Sequence, residues 1–253
     1  MITLRAELHV HTVLSPCADV EMIPPLIIEK AVADGINLIA ITDHNATANI
    51  AAVRSAAQGT DVTVLPGMEL QTAEEIHVIC LFDELEQAYT LQKVVDQNLP
   101  PLPNNIDFFG EQFIVDETGD FIRREERLLL ASTSLSLSEA WDTVTQLGGL
   151  LIPAHVNRKA YGLIPTLGFV PTDIPIDILE ISSHLRLDQA VATIPQVAGY
   201  SLIQSGDAHF LEDILALNNL TLEKPTISEL RKAILHIGDR THAILPHTPG
   251  QNG

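Results

Sequence analysis

Short apolar runs alternate along the chain with longer stretches of helical spacing. Leu4 to Val10 is the first candidate strand, and Pro24 to Ala33 follows as a helix that opens on prolines and closes at Gly35. Asn37 to Thr42 is an unbroken apolar run, as expected of a strand covered on both faces. A helix over Asn49 to Ala57, a strand over Val62 to Leu65, a strong strand over Ile76 to Phe82 and a helix over Glu84 to Gln97 continue the rhythm. The rhythm breaks over residues 98–136, which begin LPPLPNN and carry a hairpin signal at Glu117-Thr118-Gly119-Asp120. This stretch reads as an insertion bearing a small β-element. Regularity returns with a helix over Ser138 to Leu147, with Ser138 as its N-cap, and strands at Leu150 to Pro153, Ile176 to Ile181 and Tyr200 to Gln204. A last helix, Ser228 to His236, has Thr226 and Glu229 at capping-box spacing, and HTPGQNG reads as a frayed tail. The alternation predicts an α/β domain with a largely parallel, barrel-like sheet.

Length and composition narrow the class. The 253 residues suit a single α/β barrel over 1–253, and an apolar fraction of 46% with 19% charged residues is that of a globular chain. No apolar run approaches the roughly 20 residues that span a bilayer. The start, MITLRAELHVHT, lacks a basic stretch followed by an apolar segment, and Cys17 and Cys80 are too few for a disulfide framework. The expectation is a cytoplasmic protein. Lysines and arginines number 14 against 33 acids, a net charge of −19. This balance makes long nucleic acid an unexpected partner, because such binders displace counterions with basic patches. A local basic pocket for one small phosphate stays compatible with it. Nothing in the composition fixes an oligomeric state.

The candidate chemistry lies at strand ends. His9 and His11 leave one face of the first strand and can converge on one cation, with zinc, iron or manganese as suitable ions. Asp43 and His44 follow the NLIAIT run, Glu69 follows the next strand through a turn at Pro66-Gly67-Met68, His155 ends LLIPA, and Asp207 and His209 end YSLIQ. In parallel barrels the C-terminal strand ends share one mouth, where active sites form. His77 starts its strand, the wrong end for a parallel neighbour, so on pattern alone it is as much a sheet histidine as a ligand. His184, His236, His242 and His247 take surface or structural roles by default.

Together these residues resemble the PHP superfamily of polymerase and histidinol phosphatase domains. The matching segments are HVHT at His9 to Thr12, ITDH at Ile41 to His44, PGME at Pro66 to Glu69, IHV at Ile76 to Val78, PAH at Pro153 to His155 and GDAH at Gly206 to His209. The resemblance implies a distorted (β/α)7 barrel with two or three divalent metal ions. It also assigns His77 to the metal set. One metal would be held by His9, His11, Glu69 and Asp207, and a second by Glu69, His77 and His155. A third would take His44, His209 and a residue from the loop after HVHT. Family members commonly carry an aspartate or histidine in that loop where this chain has Pro16 and Cys17. Asp19 is the favoured substitute on oxygen-donor grounds, with Cys17 as the other choice. Such a centre supports phosphoester hydrolysis by a metal-bridged hydroxide. Arg158, with Lys159 beside it, and Arg186 are candidates to grip the phosphate, and His184 to protonate the leaving group. The expected substrate is a small phosphorylated metabolite or nucleotide. The alternatives are a metal-dependent C–N hydrolase and a non-catalytic metal-stabilised interaction domain.

Overall fold

The computed structural model describes residues 1–247; the tail expected at HTPGQNG lies outside them from residue 248 onward. In chain order the strands are β1 (Ile2–Val10), β2 (Leu38–Ile41), β3 (Thr63–Gln71), β4 (His77–Leu81), β5 (Phe113–Val115), β6 (Phe121–Arg124), β7 (Leu150–Pro153), β8 (Ile178–Ser182), β9 (Ser201–Ser205), β10 (Asn218–Leu222) and β11 (Thr241–Ile244). The helices are α1 (Pro24–Ala33), α2 (Ile50–Ala56), α3 (Leu85–Asn98), α4 (Ile106–Phe109), α5 (Leu137–Gln146), α6 (Leu163–Leu167), α7 (Ala190–Thr193) and α8 (Ile227–Ile234). None is long and apolar enough to cross a membrane.

The main sheet is curled and runs β11-β10-β1-β2-β3-β4-β7, with β8 and β9 as a separate parallel pair. Backbone bonds tie that pair to the rest. The Val156 amide beyond β7 donates to the Glu180 carbonyl of β8 (2.8 Å). Beyond β9, Ala208 donates to the His9 carbonyl and accepts from the His11 amide, each at 3.0 Å. The C-terminal end of β1 therefore meets the end of β9, while its first residues, Ile2 to Ala6, pair with β10. The α/β class is as expected, but the sheet is less parallel than the alternation predicted. β1, β2 and β3 are parallel; β4 is antiparallel to both β3 and β7, and β10 and β11 are antiparallel additions. β3 and β4 are joined without a helix, by a short turn in which the Thr72 amide donates to the Ile76 carbonyl (2.9 Å).

Two buried clusters share the strands. One joins Ile39, Ile41, Met68 and Val78 to the apolar faces of α1, α2, α3 and α5. The other joins Leu8, Leu38, Ile79, Ile152 and Ile203 to Leu230, Ala233 and Ile234 of α8. The strands β2, β4 and β7 are buried along their whole length, which is why they carry unbroken apolar runs.

Several local expectations shift. The N-cap of α5 is Ser136, not Ser138: the Ser136 amide donates to Glu139 Oε2 (2.8 Å) and its hydroxyl accepts the Glu139 amide (3.3 Å). Thr226 caps α8 without a side-chain bond, and the Glu229 carboxylate, at capping-box spacing, pairs instead with Lys232 and Arg240. Gly67 does not make a turn. It lies inside β3, where an added Cβ would come within 2.9 Å of the Ile41 carbonyl and of Thr42 Cγ2, so it permits close strand packing. Residues 98–136 hold α4 and the β5–β6 hairpin, whose turn is closed by the Asp116 carboxylate accepting the Thr118 and Asp120 amides.

Candidate metal centre

The strand ends deliver seven histidine and carboxylate side chains to one place, and an eighth arrives from the opposite direction. His9 and His11 leave the end of β1, His44 follows β2, Glu69 lies near the end of β3, His155 follows β7, and Asp207 and His209 follow β9. His77 opens β4. Because β4 is antiparallel, its first residue pairs with Gln71 at the end of β3, and the imidazole arrives at the same mouth. The polarity that set His77 apart in the sequence is resolved by the hairpin. His155 and Asp207, at two of the strand ends that feed the site, hold positive φ values of 27° and 52°, unusual for residues with side chains.

Glu69 is the hub. Its Oε1 lies 2.9 Å from His77 Nδ1, 3.0 Å from His155 Nε2 and 3.3 Å from His9 Nε2. Its Oε2 lies 2.9 Å from His44 Nδ1 and 3.4 Å from His11 Nε2. Asp207 Oδ1 lies 3.3 Å from both His9 Nε2 and His11 Nε2. Among the described residues three groups bring ligand atoms within 4.8 Å of one another: His9, His11, Glu69 and Asp207; His44, Glu69 and His77; and His11, His44 and His209.

Hydrogen bonding on the far side of each ring decides what can fill this space. His9 Nδ1 donates to Glu180 Oε2 (3.1 Å). His11 Nδ1 donates to Ser15 Oγ (3.0 Å), whose own proton goes to Asp43 Oδ1 (2.8 Å). His77 Nε2 donates to Gln71 Oε1 (3.2 Å). A neutral imidazole with one nitrogen committed as donor presents a lone pair at the other. Those lone pairs point at the carboxylates of Glu69 and Asp207, and His9 Nε2, His11 Nε2, Glu69 Oε2 and Asp207 Oδ1 are buried without any hydrogen-bond partner. Buried acceptors facing acceptors are costly unless a cation lies between them. The donor set fits divalent metal, and the outer carboxyl, hydroxyl and amide groups fix the rings of His9, His11 and His77 in the ligating tautomer.

The electrostatics divide between the rings. Burial pushes His9 and His44 down, but Glu180 and Glu69 beside His9, and Glu69 beside His44, outweigh it and hold both imidazoles well above their usual range. Burial pushes the Glu69 carboxyl up, but the rings of His77, His9 and His44 outweigh it and hold the group well below the usual carboxylate range. For His11, burial and the neighbouring His209 and His44 push the imidazole well down, which favours the neutral ligand form. Burial alone would raise the Cys17 thiol; hydrogen bonds from His209 and His44 bring it down to about 6.

The remaining sequence candidates divide. Arg158 reaches the mouth, pairs with Asp207 and borders two adjoining cavities of about 450 and 200 Å³. His184 lines the larger one. Arg186 does not reach the centre: it turns back on Asp188 two residues later (2.8 Å) and borders a different cavity. Asp19 is also outside the cluster, since its Oδ1 accepts the Glu21 amide (2.9 Å) while Cys17 Sγ lies 3.1 Å from His209 Nε2. The sequence reading missed Glu180, Ser15 and Gln71 as ring-orienting groups. Glu180 had a signal, an acid inside the apolar strand DILEIS; the other two had none.

The sequence model of the PHP domain matches residues 7–146, which contain His9, His11, His44, Glu69 and His77. The chain belongs to the PHP domain family. No curated protein sequence matches it. Among solved structures, the PHP fold here is similar to the lesion-specific endonuclease PfuEndoQ from Pyrococcus furiosus, with a TM-score of 0.72 and 20% identity over 95% of this chain and 58% of that one. An Endonuclease Q complex with a 27-mer duplex carrying an abasic lesion at its active site aligns with a TM-score of 0.69, 19% identity and the same coverage. The chain thus spans a little over half the length of those endonucleases. A two-domain protein from Bacteroides vulgatus containing a predicted PHP-like metal-dependent phosphoesterase aligns with a TM-score of 0.54 and 13% identity, over 96% of this chain and 65% of that one. These likenesses correct one expectation. The net charge of −19 does not set long nucleic acid aside, because this fold occurs in a protein complexed with duplex DNA. A whole-molecule charge sums over every face, whereas contact with phosphates depends on the local one.

Proposed function

We propose that this PHP domain is a metal-dependent phosphoesterase that holds two or three divalent cations with His9, His11, His44, Glu69, His77, His155, Asp207 and His209. The observation that carries the reading is the set of imidazole lone pairs aimed at buried, unpartnered oxygens of Glu69 and Asp207. Bound divalent cations, zinc, manganese or iron, supply positive charge to phosphoryl oxygens and acidify water. The chain supplies the rest. Glu180, Ser15 and Gln71 fix the rings, and burial of the cluster excludes competing solvent. Arg158 offers a half-exposed guanidinium at the mouth, able to exchange its pairing with Asp207 for a phosphate. His184 faces the larger cavity, where it can hold a proton for a departing alkoxide. The chain is read as one PHP-type barrel over 1–253, and residues 98–136 as an insertion shaping access. Leu130 supports that role, because it borders the smaller cavity with His44 and His77.

The test is elemental analysis of protein purified without chelator, with hydrolysis assayed on wild type, His9→Ala and Asp207→Ala. The panel contains p-nitrophenyl phosphate, nucleotides, sugar phosphates and a duplex with an abasic site. Two or three metal equivalents, with hydrolysis lost in both variants, are expected. Absence of bound metal after reconstitution with manganese, zinc or iron would overturn the reading. Metal without any phosphoester turnover would refute the assigned chemistry.

A further inference from the structure

The metal centre has one coordination position that the histidines and carboxylates leave short. His11, His44 and His209 bring nitrogen atoms together, and no carboxylate belongs to that group. His209 Nδ1 donates to the Asp207 carbonyl (2.8 Å), so in the neutral, ligating form of the ring Nε2 carries the lone pair, and that atom faces Cys17 Sγ at 3.1 Å. His11 Nε2, from the same group, is buried and unpartnered. Two observations independent of the cysteine therefore point into this space.

We infer that Cys17 is a thiolate ligand completing the position of His44 and His209, so that this part of the centre selects zinc over manganese or magnesium. The inference rests on the metal-centre reading and deepens it. The loop holds the sulfur where it must be. The Asp19 amide donates to the His209 carbonyl (2.8 Å) and the Ala18 amide to the Ser15 carbonyl (3.0 Å), so Cys17 is pinned between its neighbours and the residue it would join. On the other side the Pro16 carbonyl abuts Gly110, where an added Cβ would come within 2.5 Å. The Asp19 carboxylate turns to the Glu21 amide (2.9 Å to Oδ1), whereas Cys17 Sγ lies against His209. On binding, Sγ–H gives its proton to solvent and the sulfur lone pair forms the metal bond, with no change of oxidation state. A sulfur and imidazole donor set favours zinc, whereas oxygen-rich sets suit manganese and magnesium. Cys17 is exposed and Cys80 is buried, so only the first offers a ligand at the surface.

The experiment is a cobalt(II) titration of the chelator-stripped full chain, followed by absorption spectroscopy and a count of bound metal. Wild type is expected to show a sulfur-to-cobalt charge-transfer band in the near ultraviolet. Cys17→Ser should lose that band while keeping the visible ligand-field bands. Cys17→Ala should bind one equivalent less, and Cys17→Asp should restore the count without the band. In parallel, zinc should protect Cys17 from iodoacetamide, with Cys80 unmodified throughout. Circular dichroism of the stripped variants checks that each is folded. Cobalt bound with ligand-field bands and no charge-transfer band overturns this inference alone. Alkylation of Cys17 at one rate with and without zinc does the same. No cobalt bound by wild type overturns the metal-centre reading with it.

Discussion

Asp43 takes no direct part in the metal cluster, yet it holds the loop that presents the cluster, and its removal can be given a magnitude. Its Oδ1 accepts the Thr12 amide (2.7 Å) and the Ser15 hydroxyl (2.8 Å), and its Oδ2 accepts the Thr12 hydroxyl (2.8 Å). All three residues are buried. Hydrogen bonds to an ionised group contribute about 1.5–3 kcal/mol each, and burial, which pushes the Asp43 carboxyl up, takes back part of the sum. Asp43→Ala also leaves a buried amide and two hydroxyls without their acceptor. The expected loss is about 3–5 kcal/mol, or on the order of 10 °C in Tm for a chain this size. Asp43→Asn is the sharper control. The Thr12 hydroxyl already accepts from the Leu14 amide (3.2 Å) and from Asn49 Nδ2 (2.9 Å), so an amide nitrogen at Oδ2 would meet a group with no acceptor capacity left. A loss of roughly 2 kcal/mol is expected there. Urea denaturation of both variants in excess chelator separates this cost from any change in metal affinity. A loss below about 1 kcal/mol for Asp43→Ala, or none for Asp43→Asn, would refute the reasoning.

Four further outcomes follow from the same geometry. Stripping metal should lower the thermal midpoint, because each site saturated at a hundred times its Kd adds about 2.7 kcal/mol; calorimetry with and without chelator checks it, and an unchanged midpoint contradicts it. Arg158→Ala should lower kcat/KM about 10–100-fold while Arg186→Ala leaves it unchanged, and equal effects in steady-state assays would remove Arg158 from the mouth. Gly206→Ala should destabilise by more than about 3 kcal/mol, since its Cβ would run into the Asp213 carbonyl; urea titration of the stripped variant reads this directly. Burial, together with the nearby His236, pushes His242 down to about 4, so between about 4 and 6.5 the unfolded chain binds the extra proton. Stability should therefore fall as pH is lowered through that window, by at most about 3 kcal/mol, and His242→Gln should flatten the profile measured in chelator.

Most of the site was legible in the sequence because its residues stand at strand ends, and strand ends are marked by where apolar runs stop. His44 after NLIAIT and His155 after LLIPA are cases in point. What could not be read was direction. His77 stood at the wrong end of its run, and only the antiparallel pairing of β3 with β4 brings it beside Gln71 and Glu69. The same limit hid β10 and β11, whose alternating or exposed residues give no continuous apolar signal. Asp19 was preferred over Cys17 on donor chemistry, and a sequence does not show that a local turn leads the Asp19 carboxylate to the Glu21 amide while Cys17 Sγ comes within 3.1 Å of His209 Nε2. Gly67 was taken for a turn residue because glycine is permissive in both roles, and a sequence does not distinguish a bend from a close approach.

The bond pair between His9, Ala208 and His11 has a consequence for how the protein is made. The cluster joins His9 and His11 to Asp207 and His209, so its contacts are among the longest in sequence that the fold contains. During synthesis β1, β2 and β3 emerge early and can begin to pair, carrying His9, His11, His44 and Glu69 into partial proximity. The nascent chain then holds that partial cluster without Asp207 or His209 until residues 207–209 have been made. On the proposed reading, the complete centre forms only after Asp207 and His209 have been made, and a bound cation would tie β1 to the segment that follows β9.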